Sequence, residues 1–226
     1  MKDKTDKILG KIINQNLYEK GFQTPLIDNG LSNQEKVDLI ETHFRQILIT
    51  LGLDIADDSI SGTPNRMAEM YVNELCNGLD FDQFPKCTTV DNKFKYSDLI
   101  IEKCTIKSLC EHHFVYFGTA HQPEELGCWV AYIPDKKVIG LSKINRIVSY
   151  FSHRPQIQER LAHQIAETLK YVLEVDSVAV IIKAQHFCVL TRGVEDENGF
   201  TITSSLHGLF ESDRALRSEL MSIVNK

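Results

Sequence analysis

Five consecutive apolar residues, Val178-Ala179-Val180-Ile181-Ile182, put the tightest limit on how this chain can fold. The run is rich in β-branched side chains and reads as the heart of a strand over 178–184. It is far too short to cross a bilayer, which takes about 20 apolar residues. Such a strand leaves sheet edges that must be paired or covered. A lone chain has to protect those edges itself, whereas sheets from several copies closed into one barrel have none.

Around this strand the apolar period changes repeatedly. Residues 1–31 are polar, with Thr24-Pro25 and Asn29-Gly30 as turns. Ser32-x-x-Glu35 is a capping box, followed by Val37, Ile40, Phe44, Ile47, Leu48 and Leu51 at helical spacing. Thr63-Pro64 starts a second helix, Thr63 as cap, that turns Met67, Met70, Tyr71 and Leu75 inward. Strands are expected at 100–107, 114–120 and 129–133, the last two joined by the polar stretch 121–127. Ser142 can cap a helix bearing Ile144, Ile147, Val148 and Phe151, and Arg154-Pro155 breaks the chain before a longer helix through Ile157, Leu161, Ile165, Leu169 and Val172. A strand at 200–205 and a helix after Ser212, with Leu216 and Leu220, complete the chain. Helices and antiparallel strands in separate runs define an α+β fold. The change of character near residue 95 divides a helical N-terminal region, 1–95, from a sheet domain, 96–226.

Lys and Arg number 25 against 31 Asp and Glu, a net charge of −6, so no general basic field favours nucleic acid or an anionic membrane surface. The opening MKDKTDKILGKIINQ mixes charges and has no signal-peptide core, and the chain is expected to be cytoplasmic. In that compartment the six cysteines read as buried thiols or metal ligands rather than disulfides.

Two short clusters carry chemistry: Cys110-Glu111-His112-His113 and His186-Phe187-Cys188. Cys110 and His113 have a chelating separation, and His186 and Cys188, two apart in a strand, would share a side. Thiolate with imidazole selects zinc. Five donors exceed the three that a catalytic zinc needs, which leaves histidines free to move protons beside the metal. A closed four-ligand structural zinc fits the same residues. A second feature is Ser142-Lys143-Ile144-Asn145-Arg146 at a helix start, where free N–H groups and two cations suit a phosphate. By itself this pentapeptide is equally a solvated helix end.

Taken together, several stretches strongly resemble GTP cyclohydrolase I. They are Ser108-Leu-Cys-Glu-His-His-Phe114, Ala131-Tyr-Ile-Pro134, Val138-Ile-Gly-Leu-Ser-Lys-Ile-Asn-Arg146 and Arg154-Pro-Gln-Ile-Gln-Glu-Arg160. His186-Phe-Cys188 with Arg192-Gly-Val194, Thr203-Ser204, Gly208-Leu-Phe210 and Thr63-Pro-x-Arg66 continue the pattern in the same order. The resemblance implies a tunnelling fold: an antiparallel sheet with helices on one face, closed into a barrel by oligomerisation and preceded by a helical N-terminal arm. It implies a homodecamer with shared active sites that converts GTP and water to 7,8-dihydroneopterin triphosphate and formate, the first step of pterin- or folate-type biosynthesis. Cys110, His113 and Cys188 match zinc ligands, and His112 and His186 match proton-transfer residues aided by Ser142. Gln158 and Glu159 match guanine recognition. Lys143, Arg146 and Arg192, with Arg66, match triphosphate contacts. The chain departs from the pattern at 121–128, where a polar loop with His121 and Cys128 is added. A nitrile reductase of the same fold would not need this Cys/His set, and a silent zinc-stabilised scaffold would have lost His112 or His186.

Overall fold

The computed structural model describes residues 4–119, 122 and 124–225. The polar start contains a helix that the turn signals did not announce, α1 (Lys7–Glu19), capped by the Asp6 carboxylate on the Leu9 N–H. Its sparse apolar residues suffice because Ile13 and Leu17 are fully used, both buried in the main core beside Phe84. The capping box forms as expected at α2 (Asn33–Thr50): the Ser32 hydroxyl accepts from the Glu35 N–H, and the Glu35 carboxylate accepts from the Ser32 N–H. Val37 is buried, but Ile47 and Leu51 of the same expected stripe are exposed.

The helix α3 (Thr63–Glu69) is capped by Gly62, not Thr63. Thr63 and Pro64 occupy its first turn, where proline's missing N–H leaves nothing unpaired. The helix continues as a π-helical turn, Met70–Leu75. Pro64, Ala68 and Val72, four apart, form the buried face, while Met67, Met70, Tyr71 and Leu75 are only half-buried. The small Ala68 lets α3 approach α2, which selects that face over the bulkier one.

The strands form two sheets. In the smaller, β1 (Thr89–Asp91) pairs antiparallel with β6 (Lys137–Ile139). In the seven-stranded sheet, β2 (Ile100–Cys104) pairs with β5 (Gly127–Tyr132), which pairs with the long β8 (Val178–His186). The other edge of β8 takes β9 (Thr201–Leu206), and its last residues, Gln185 and His186, meet β4 (Val115–Gly118). The remaining order is β4, β3 (Lys107–Cys110) and β7 (Pro155–Gln156); β3 and β7 run parallel, and every other pairing is antiparallel. The strand expected over 100–107 is thus split at Thr105-Ile106, and the one expected from 114 starts at Val115. Cys128 lies in β5 opposite Cys104 rather than in a loop, while His121 lies outside the described residues.

Two helices follow β6: α4 (Leu141–Ser152), with Gly140 in place of Ser142 at the cap, and α5 (Gln158–Leu173). Leu161, Ile165 and Leu169 of α5, with Ile144, Ile147 and Phe151 of α4, cover Val178, Val180 and Ile182. A short turn, α6 (Phe187–Leu190), follows β8. After β9 come α7 (Leu209–Ser212) and α8 (Arg214–Val224), and Phe210, Leu220 and Val224 pack against Ala179 and Ile181. Helices therefore cover both faces of β8, which corrects the one-face expectation. The physical reason is the run itself: alternate residues point to opposite faces, so five apolar residues in a row require cover on both. Among the described residues no helix is long and apolar enough to cross a membrane.

Candidate active site

Cys110 ends β3, and the chain then turns through Glu111, His112 and His113. Phe114 closes that turn with its N–H on the Cys110 carbonyl at 2.8 Å, in a left-handed conformation with φ 52°. His186 ends β8, so Cys188 does not share a strand face with it as expected. The turn of α6 carries the Cys188 thiol back instead. Ligand atoms of Cys110, His186 and Cys188 all lie within 4.8 Å of one another. His112 Nδ1 is 3.7 Å from Cys110 Sγ. His113 is exposed and stands outside the three-residue group; the imidazole that joins the two thiols is His186.

His186 is held on two sides. Its ring stacks on Phe117, its cross-strand partner, at 4.7 Å and 3° between planes. Its Nε2 is 2.8 Å from Oε1 of Gln158, the first residue of α5. Burial pushes the His186 imidazole below its ordinary value, with Glu159 opposing the shift. Burial pushes the Cys188 thiol up, a hydrogen bond with Cys110 adds to that, and the charge of Arg192 opposes it. Arg192 and Glu159 thus act on the cluster electrostatically, and both side chains are exposed.

The turn that bears His112 and His113 is tied to α5 by an ion pair between Glu111 and Arg160. Arg160 Nε also donates to Gln156 Oε1 at 3.0 Å. Ser142, Lys143 and Arg146 lie in the first turns of α4, and Arg66 lies in α3 with its guanidinium on the Thr63 hydroxyl at 3.1 Å. Among the described residues no hydrogen bond or ion pair links these four to Cys110, His186 or Cys188. A cleft of about 1630 Å³ runs between α1, the 23–33 segment, α2 and the π-helical turn as far as Phe114 and Pro155. None of the three cluster residues lines it, so volume alone does not mark the chemistry.

Two thiols and an imidazole converging on one point form a donor set suited to zinc. The other cysteines are poor rivals: burial pushes Cys87 and Cys104 up to about 12 and Cys76 up to about 11, as in ordinary core thiols. Sequence reasoning gave no role to Phe117, Thr203 or the Glu111–Arg160 pair. Thr203 donates no local signal; its partner Gln158 is 45 residues away. Arg160 was legible only as part of the Arg154–Arg160 motif.

The family model of GTP cyclohydrolase I matches residues 40–225. GTP cyclohydrolase 1 of Aeromonas hydrophila is 50% identical over 208 residues, covering 91% of this chain and 92% of that one. The Haemophilus ducreyi protein of the same name is 43% identical over 215 residues, 95% of each chain. Among solved structures, the apo form of the archaeosine synthase QueF-Like aligns with a TM-score of 0.38 at 18% identity, over 47% of this chain and 90% of that one. With the family model covering most of its length and relatives near half identity end to end, this chain belongs to the GTP cyclohydrolase I family of hydrolases.

Proposed function

We propose that this protein hydrolyses and rearranges GTP to 7,8-dihydroneopterin triphosphate and formate, with zinc held by Cys110, His113 and Cys188. The observation that carries the reading is the convergence of the Cys110 and Cys188 thiols with His186 at one point of the sheet, with His112 beside Cys110. Bound zinc supplies Lewis-acid activation of water for hydrolysis at C8 of guanine. The chain's residues do the rest. His186 hands a proton to N7 as the imidazole ring of guanine gains electron density, and His112, with Ser142, protonates the ribose ring oxygen as the sugar opens. The Glu159 carboxylate accepts from N1–H and the exocyclic amine of guanine; adenine, with an acceptor at N1, would leave it unpaired. Lys143, Arg146 and Arg192, with Arg66, hold the triphosphate.

Arg192 acts on Cys188, but among the described residues no hydrogen bond or ion pair links Lys143, Arg146 or Arg66 to the Cys/His cluster, and this supports a site completed between subunits. In this reading residues 96–226 form the tunnelling-fold catalytic domain, closed into a barrel in a homodecamer, and 1–95 form the helical arm. The test is incubation of the zinc-loaded protein with GTP: formate and dihydroneopterin triphosphate appear together, and their absence overturns the proposal. The observed cluster favours a second ligand set in which His186 replaces His113. Metal analysis of His113→Ala and His186→Ala decides between them.

A further inference from the structure

We propose that Gln158 is a positioning residue that fixes which ring nitrogen of His186 carries the exchanging proton. This rests on the reading of His186 as the proton carrier.

The argument is one of donors and acceptors. Gln158 Nε2 lies 3.1 Å from the Ile182 carbonyl, 2.9 Å from the Thr201 carbonyl and 3.1 Å from Thr203 Oγ1. Carbonyl oxygens only accept, so the amide nitrogen must face them and Oε1 must face His186. Oε1 also only accepts, so His186 Nε2, 2.8 Å away, carries the hydrogen. The neutral ring then has its lone pair on Nδ1. Stacking on Phe117 holds the ring plane, and the Gln158 amide holds its rotation within that plane.

Gln158 is 2% exposed, and both of its amide hydrogens are spent inside the fold, between the end of β8 and the start of β9. These bonds stand beside the guanine contact implied for Gln158 by resemblance. In the charged ring both nitrogens bear hydrogen. The Nδ1 proton passes to the base, and the ring returns to the neutral Nε2–H form with its bond to Gln158 intact. Proton transfer therefore needs no ring flip and no exchange of tautomers.

The experiment compares wild type with Gln158→Met and Thr203→Val, each labelled with ¹⁵N-histidine and studied metal-free and zinc-loaded. His186 is assigned by the signal lost in His186→Ala. The wild type should show the Nε2–H form, and Gln158→Met a mixture of both tautomers. In the GTP assay Gln158→Met should lose about 10–100-fold in kcat, as outer partners of site histidines do, with KM unchanged. Thr203→Val should move both readouts the same way by less, and it carries the test if the methionine variant does not fold. A wild-type Nδ1–H form, or a raised KM with unaltered kcat, overturns the proposal. Absence of formate from the wild type instead overturns the enzymatic reading, while the tautomer spectrum still decides this one.

Discussion

The carboxylate of Glu111, in the turn after β3, is bound by the guanidinium of Arg160 on the first turns of α5. This pair joins the segment bearing His112 and His113 to the helix that carries Gln158 and Glu159. Arg160→Met should leave Glu111 without its partner and cost about 1–3 kcal/mol, read from urea unfolding. Arg160→Lys should recover only part, because ammonium cannot keep both the Glu111 pair and the Nε bond to Gln156.

Metal binding should fail in Cys110→Ser, Cys188→Ser and His113→Ala, and activity should fall with it. His112→Ala and His186→Ala should keep the metal and lose about 10²–10⁴-fold in turnover. Elemental analysis beside the formate assay separates the two classes; full occupancy in both cysteine variants would remove them from the ligand set.

Stability should depend on pH through a second polar cluster, between α5 and the end of β9. Ser205 Oγ lies 2.9 Å from His163 Nδ1 and 2.8 Å from His207 Nε2, and Glu167 is paired with Lys20 and Lys170 beside them. Burial lowers His163, with Glu167 opposing. Burial and then Lys170 lower His207, against the pull of Glu167. Above the ordinary histidine value of 6.5 both rings are neutral whether folded or not. Below it the unfolded chain takes up protons first, so stability falls with pH. For Glu167, burial raises the carboxyl, but hydrogen bonds from Lys20 and Lys170 outweigh this and bring it below 4.5; its contribution is lost at still lower pH. Urea midpoints should drop between about pH 7.5 and about pH 5.5, and a double His163→Gln, His207→Gln variant should flatten that slope.

Neutralising Lys143, Arg146 or Arg192 should weaken GTP binding far more than guanosine binding, and added salt should shrink the difference. A chain of net charge −6 has little else to draw a polyanion. Equal losses for both ligands, measured by calorimetry, would refute the phosphate role.

Assembly should be required for turnover. Ile47, Leu51 and Phe94 are 49%, 70% and 81% exposed in the single chain, and among the described residues no hydrogen bond or ion pair ties Lys143, Arg146 or Arg66 to the Cys/His cluster. Light scattering run alongside the formate assay should find a ring-sized particle, most simply a decamer, with activity falling on dilution as it dissociates. A fully active monomer would break the shared-site reading.

What could be read from the chain alone was local. The Ser32–Glu35 box lies within one helical turn, and the helical stripe of Leu161, Ile165 and Leu169 needs no partner to be seen. The Cys110 and His186–Cys188 clusters were likewise visible, because thiol and imidazole chemistry resides in residue type. The tertiary structure decided how they meet. His186 and Cys188 converge through the α6 turn and not through a strand face, since β8 stops where its pairing with β4 ends. The caps fall at Gly62 and Gly140, with no side-chain cap bond at either, rather than at the hydroxyl residues Thr63 and Ser142 that lie inside the first turns. Gln158 was legible only as a motif residue; its hold on His186 depends on Ile182, Thr201 and Thr203 presenting oxygens across the β8–β9 pairing. Hydrogen-bond partners so distant in sequence become neighbours only when the sheet register is set, and a one-residue slip would turn the Thr203 side chain to the other face and displace the Thr201 carbonyl from that of Ile182.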